Sequence, residues 1–221
     1  MTVGAYRIRP EGIRVDKWTH SGVCDTPLHG MFADIQILNS SFNKMLTIYL
    51  ARHGQTEENL SRIFQGHLPG HLTEEGKRQA IALGKALENI PLDAIVSSDL
   101  QRVADTVRLA VGSRDLPWEK NVLFREVDWG SWTGMSINSV DRSCFPKDAE
   151  TPAMLYARAG KCIDYLKQHC EGKSVLVVAH GQINRNIIAQ ARGIPLGRLK
   201  EIPLMKNGTT IQLIINSSFA S

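Results

Sequence analysis

From residue 45 onward the apolar and polar positions follow two alternating periods. Leu46 to Ala51 is a short apolar run that turns polar at Arg52-His53-Gly54, the pattern of a buried strand ending in a turn. Thr73 to Asn89 carries Ala80, Leu83, Ala86 and Leu87, with Ile90 just beyond, near helical spacing; Thr73 is placed to cap the helix and Pro91 to end it. "LDAIVSS" predicts a second buried strand, and Asp99 to Val111 a helix. "KNVLFREVDWG" is read as an extended segment. Thr151 to Cys170 predicts a long helix, "KSVLVVAH" a strand, "GQINRNIIAQARG" a helix closed by Gly193, and "GTTIQLIIN" a last strand. Strands and helices in this alternation predict an α/β domain with a mainly parallel sheet over residues 45–221.

Residues 1–44 lack that rhythm. "YRIRPEGIRVDKW" fits a hairpin about Pro10-Glu11-Gly12, and the stretch that follows holds no sustained period. Two readings stand side by side: an N-terminal extension of unknown role that packs on the domain, or a dispensable leader ahead of a start at Met45.

The chain of 221 residues is 43% hydrophobic and 22% charged, which suits one globular domain with an appendage. A net charge of +4 is too mild to imply a nucleic-acid partner and leaves room for a local cationic pocket. No apolar run approaches the roughly 18 residues that span a bilayer, so no membrane partner is expected. The four cysteines, Cys24, Cys144, Cys162 and Cys170, form no C-x-x-C pair, and none has an arginine six residues on. Reduced thiols and a cytoplasmic location are the expectation, with no metal site and no cysteine-based phosphatase loop.

Ligands of such a sheet bind beyond the carboxyl ends of its strands. Those ends deliver Arg52 and His53, then Asp99 with Arg102 close behind, then His180 and Gly181. Guanidinium groups bind phosphate oxygens in a bidentate fork and stay charged at any relevant pH. A histidine among them can bind the anion or attack it, and a glycine after each histidine lets the backbone approach closely. Phosphate is the ligand this set of residues favours.

"ARHGQTEEN" resembles the R-H-G signature of the histidine phosphatase, or phosphoglycerate mutase-like, superfamily. The resemblance continues through "FQGHLPGHLTEEGKRQA", "IVSSDLQRVADT", "LFREVDWGSWTG" and "VLVVAHGQINR", five blocks in the family's order. It implies a three-layer α/β/α fold and a reaction without cofactor or metal. By the same resemblance His53 is the nucleophile that forms a phosphohistidine. Arg52 and Arg102 grip the phosphoryl oxygens, His180 is a further donor, and Glu126 is the general acid. Asn59, Gln65, Gly66, Gly181 and Gln182 line the substrate pocket. Asp128, His67 and His71 are read as ordinary loop residues, His20, His29 and His169 as surface residues, and the triplets at Asn39, Asn207 and Asn216 as accidental glycosylation matches.

Two departures bear on substrate choice: "PGHLT" has His71 where the family often has proline, and "WTG" has Thr133 where many phosphatases have glutamate. The stretch between Glu126 and His180 is short, which resembles the phosphatases more than the mutases, whose longer insertion shields the site from water. The expected activity is hydrolysis of a small-molecule phosphate ester, with α-ribazole phosphate one candidate. The alternatives are a cofactor-dependent phosphoglycerate mutase and an inactive module that binds a phosphate ligand.

Overall fold

The computed structural model describes residues 45–216. The expected hairpin and the rest of the 1–44 extension lie outside the described residues, as do His20, Cys24, His29, Asn39 and the last five residues.

Five strands form one sheet: β1 (Met45–Arg52), β2 (Ala94–Ser97), β3 (Trp118–Lys120), β4 (Ser174–Ala179) and β5 (Thr210–Asn216). Their order is β3-β2-β4-β1-β5, parallel throughout except that β5 pairs antiparallel with β1. Among the described residues five α-helices accompany them: α1 (Glu57–Leu60), α2 (Glu74–Ala86), α3 (Gln101–Val111), α4 (Pro152–Cys170) and α5 (Gly181–Ala191).

Successive residues of a strand face opposite sides of the sheet, and both sides here are buried. Leu46, Ile48 and Leu50 of β1, with Val175, Val177 and Ala179 of β4, pack against α4 and α5. Ala51, Leu176 and Val178 point the other way, onto α2 and α3. That is why these strands read as nearly continuous apolar runs, and it gives the three layers. Each fully buried Leu or Ile of β1 contributes about 1.5–3 kcal/mol relative to exposure.

Local signals set most element ends. Thr73 Oγ1 accepts the Gly76 amide at 2.9 Å and starts α2. Thr151 Oγ1 accepts from Met154 with Pro152 in the first helical position, starting α4. Gly193 follows α5 at φ 63°, a left-handed position that favours glycine. Two expectations are corrected. Pro91 does not end α2: the helix stops at Ala86, where the Leu87 amide is shared between the Leu83 and Gly84 carbonyls and tightens the last turn. The segment 120–130 is not one extended run. β3 stops at Lys120, a 3₁₀ turn occupies Val122–Phe124, and the backbone then follows an irregular path. Its carbonyls are satisfied by side chains of α4 instead of a neighbouring strand: Arg158 donates to Leu123, Arg125 and Glu126, and Cys162 Sγ to Leu123.

β4 lies between β1 and β2, so the carboxyl ends of all three are neighbours. Arg52 pairs in register with Ala179, and Ser97 with Val178. Gly54, just past β1, presses on α2: a Cβ there would lie 2.3 Å from the Gly76 carbonyl oxygen, and one on Gly76 only 2.0 Å from that of Gln55. The glycine after His53 therefore serves backbone packing, where the sequence suggested close approach to an anion. Gly76→Ala is expected to destabilise the fold by about 1–3 kcal/mol, the usual cost of overpacking, lowering Tm by roughly 2–4 °C per kcal/mol in a thermal melt.

Candidate active site

A cavity of about 510 Å³ opens at this shared sheet edge. Its inner end is lined by Arg52, His53, Arg102 and Glu126, with Asn59, Gln65, Gly66, Gly181 and Gln182 around them. Nine of the ten predicted site residues thus share one hollow. The tenth, His180, is fully buried behind His53, with ring centroids 5.1 Å apart.

His53 is 2% exposed, and its backbone is held on three sides: its amide bonds the Ala179 carbonyl, and its own carbonyl accepts from Asn207 Nδ2 and the Gly208 amide. Its Nδ1 lies 2.7 Å from the Gly54 carbonyl. A carbonyl only accepts, so Nδ1 carries the proton and Nε2 keeps its lone pair. His180 Nε2 is 2.9 Å from Ser98 Oγ. A hydroxyl that donates to Nε2 leaves the ring proton of His180 on Nδ1. Ser98 is a supporting residue that sequence reasoning passed over, although it closes the predicted strand 92–98.

Both imidazoles are pushed well below the ordinary 6.5, first by burial and next by the charge of Arg102, with Arg52 adding to the effect. The folded state therefore binds fewer protons than the unfolded state as pH falls below 6.5. Stability from this source is complete above that value and is lost on acidification toward the depressed folded values. Denaturant melts at pH 7.5, 6.5 and 5.5 should show stability falling mainly between the last two, and His180→Asn should flatten the slope. Asp99, whose carboxyl is lowered by its bond to Arg125, acts only below the usual 3.8 and does not confuse that window.

The arginines are fixed before any ligand arrives. Arg52 Nη1 donates to the Met205 carbonyl at 2.7 Å. Arg102, 1% exposed, donates to the carbonyls of Gly66, Leu68 and Pro69 and so ties the 66–69 loop to α3. Burial lowers both guanidiniums, Arg102 to about 10, with the Glu126 charge opposing; each stays cationic at neutral pH. The Nε atoms of Arg52 and Arg102 and Nδ1 of His180 are buried with no hydrogen-bond partner among the described residues. Three unsatisfied buried donors in one cationic cluster are costly to the fold. Among the described residues no three His, Cys, Asp or Glu side chains gather in a metal-binding group.

The Glu126 carboxylate accepts from the amides of Val127, Gln182 and Ile183 at 3.0–3.2 Å, at the amino end of α5. Gly181 is close enough to Arg52 that a Cβ would lie 3.2 Å from Cζ. Asn59 Oδ1 is taken by the Thr56 amide and Asn207 Nδ2, so the amide nitrogen is what Asn59 offers the cavity. Asn207, read as a chance glycosylation match, thus braces both His53 and Asn59. Gln65 Nε2 donates to Thr56 Oγ1 and Glu58. Asp99, a strand-end candidate, is drawn off into an ion pair with Arg125. His67 donates to the Glu126 carbonyl at 3.0 Å, while His71 is exposed.

The outer cavity is aromatic. Phe64 contacts Trp129 and Trp132 at centroid distances of 4.7 and 5.4 Å, and Trp132 meets Phe145 edge-on at 5.4 Å. Ile137, Arg142 and Leu204 complete the mouth. Sequence reasoning missed Phe64, Ile137, Arg142, Phe145 and Leu204 because they come from irregular loops without a period.

The family model described as histidine phosphatase superfamily (branch 1) matches residues 48–219. The chain belongs to that superfamily. It is 28% identical over 168 residues to the adenosylcobalamin/alpha-ribazole phosphatase of Salmonella typhimurium, a match covering 70% of this chain and 83% of that protein. A probable phosphoglycerate mutase, GpmB of Yersinia pestis, is 27% identical over 166 residues, covering 68% and 77%. Among solved structures, Bacillus stearothermophilus YhfR superposes with a TM-score of 0.72 at 30% identity, covering 76% of this chain and 90% of that one. The fold is thus the phosphoglycerate mutase-like α/β/α sandwich, and the superfamily assignment makes the chain a phosphatase of small phosphate esters. No helix among the described residues is long and apolar enough to cross a membrane.

Proposed function

We propose that this histidine phosphatase is a metal-independent phosphomonoesterase that works through a phosphohistidine on His53. The observation behind the reading is the 2.7 Å contact between His53 Nδ1 and the Gly54 carbonyl, which leaves Nε2 unprotonated in a hollow walled by two fixed arginines. Nε2 attacks phosphorus as the ester P–O bond breaks. Arg52, Arg102 and the Nδ1–H of His180 neutralise charge on the phosphoryl oxygens, and Glu126 gives a proton to the departing oxygen. Asn59, Gln65, Gly66, Gly181 and Gln182 line the pocket around the phosphoryl group. The Glu126 carboxylate then takes a proton from water, which attacks phosphorus. The P–N bond breaks, and phosphate and neutral imidazole are left.

Within small esters, α-ribazole phosphate is the first candidate substrate, on the likeness to relatives named for it. The mutase reading rests on the GpmB match. The cavity mouth, with Arg142 and Leu204 exposed, admits water to the phosphohistidine, which favours hydrolysis.

Quenching the enzyme during turnover of labelled ester, with excess chelator present, should trap an acid-labile, alkali-stable phosphoenzyme mapping to His53. Turnover abolished by chelator, or label on another residue, overturns the reading. Conversion of 3-phosphoglycerate to 2-phosphoglycerate faster than phosphate release would favour the mutase.

A further inference from the structure

The segment that carries Glu126 has no neighbouring strand to hold it, since β3 ends at Lys120 and the 3₁₀ turn Val122–Phe124 follows. Arg158 of α4 supplies the missing partners. Its Nη1 donates to the carbonyls of Leu123 and Arg125 at 2.7 and 2.8 Å, and its Nη2 to that of Glu126 at 3.3 Å. The other edge of the fork lies on Glu150, Nε on Oε1 at 2.8 Å and Nη2 on Oε2 at 2.6 Å. Every N–H of the guanidinium thus has a partner, and the ion pair is mostly buried, with side chains 18% and 12% exposed. His67 Nε2 gives the Glu126 carbonyl its second bond, at 3.0 Å.

These bonds reach the carboxyl group through one peptide unit. The Glu126–Val127 peptide is planar and trans, so its C=O and N–H point in opposite directions. Arg158 and His67 fix the carbonyl, and the amide on the far side, that of Val127, donates to Glu126 Oε1 at 3.0 Å. The shortest of the carboxyl group's amide bonds is therefore set by the plane that Arg158 holds. The longer ones, from Gln182 and Ile183, come from α5. Building on the reading of Glu126 as the general acid, we propose that Arg158 is a positioning residue for it: the arginine sets the peptide plane that aims the carboxyl group, and Glu150 orients the arginine's fork. Lysine cannot take this place, because one ammonium with three donors cannot meet three carbonyls and both oxygens of a carboxylate.

The test measures kcat/KM of each variant on two esters. Glycerol 2-phosphate needs a proton on its departing alkoxide and p-nitrophenyl phosphate does not, so the ratio of the two values reports on the acid, and the folded fraction cancels from it. Arg158→Lys, which keeps a cation beside Glu150, should lower the glycerol-to-nitrophenyl ratio about tenfold, and Arg158→Met about 10²-fold, the scale of a catalytic group displaced by about 1 Å. In Glu126→Gln/Arg158→Lys the ratio should stay within about twofold of that of Glu126→Gln alone, since no acid is left to misplace. A general loosening of the fold would instead depress both esters alike. An unchanged ratio in Arg158→Lys, or a further fall in the double variant, overturns the positioning role, and the lysine variant decides even if the methionine variant fails to fold. Failure of the parent reading looks different: Glu126→Gln itself then leaves the ratio at its wild-type value.

Discussion

His53→Ala should lose at least about four orders of magnitude in kcat/KM toward every phosphate ester, the scale seen when a covalent enzyme loses its nucleophile. Phosphoenzyme should vanish with it. Tethering through Nδ1 presents a neutral nitrogen, and burial with two nearby arginines keeps it neutral at physiological pH. None of the surrounding groups substitutes for it: His180 is turned to Ser98, and Glu126 is held by three amides. The variant should still bind inorganic phosphate, because Arg52 and Arg102 are fixed by carbonyls of Met205, Gly66 and Pro69 and owe nothing to the imidazole. Its stability should become less sensitive to pH below 6.5, since one of the two depressed imidazoles is gone. Retained turnover in a folded His53→Ala protein would remove the nucleophile assignment altogether.

The convergence of the candidate catalytic residues other than Glu126, which only the family resemblance singled out, was legible in the sequence for a specific reason. Arg52, His53 and His180 follow directly on strands whose apolar runs are unambiguous, Arg102 stands in the first turn of the helix after another, and the strand ends of an α/β sheet converge. The supporting layer was less legible. Ser98 sat inside the predicted strand, but nothing in one sequence pairs it with His180. Asn207 comes from a turn far along the chain, and only the antiparallel addition of β5 beside β1 carries it to His53. Segment 120–130 misled because its apolar residues, Val122, Leu123 and Phe124, suggest a strand. Its backbone partners are Arg158 and Cys162 on α4, which period and propensity do not reveal. Phe64 and Phe145, the phenylalanines of the aromatic mouth, were missed on the same grounds. Phe64, Trp132 and Phe145 meet through loop geometry, and their spacing in the chain carries no period.

Glu126→Gln should produce a split that a merely structural residue would not. Toward an alkyl phosphate, whose alkoxide cannot leave unprotonated, kcat/KM should fall by about 10²–10⁴, the range for a lost general acid. Toward p-nitrophenyl phosphate the transfer to His53 should be nearly spared, since nitrophenolate leaves without a proton. The second half-reaction still needs a base for water, so the variant should release one rapid equivalent of nitrophenolate per site and then turn over slowly as phosphohistidine accumulates. The structure sharpens the demand on this residue. Amides of Val127, Gln182 and Ile183 all point at the Glu126 carboxyl group and fix it at the amino end of α5. In the proposed cycle that carboxyl group gives up a proton in the first step and takes one from water in the second. The one side chain thus serves two steps in opposite protonation states, and glutamine, which can neither give nor take the proton, stalls the enzyme between them. An equal loss on both esters with no burst would mean that Glu126 only braces the amino end of α5, and the proton would have to come from elsewhere.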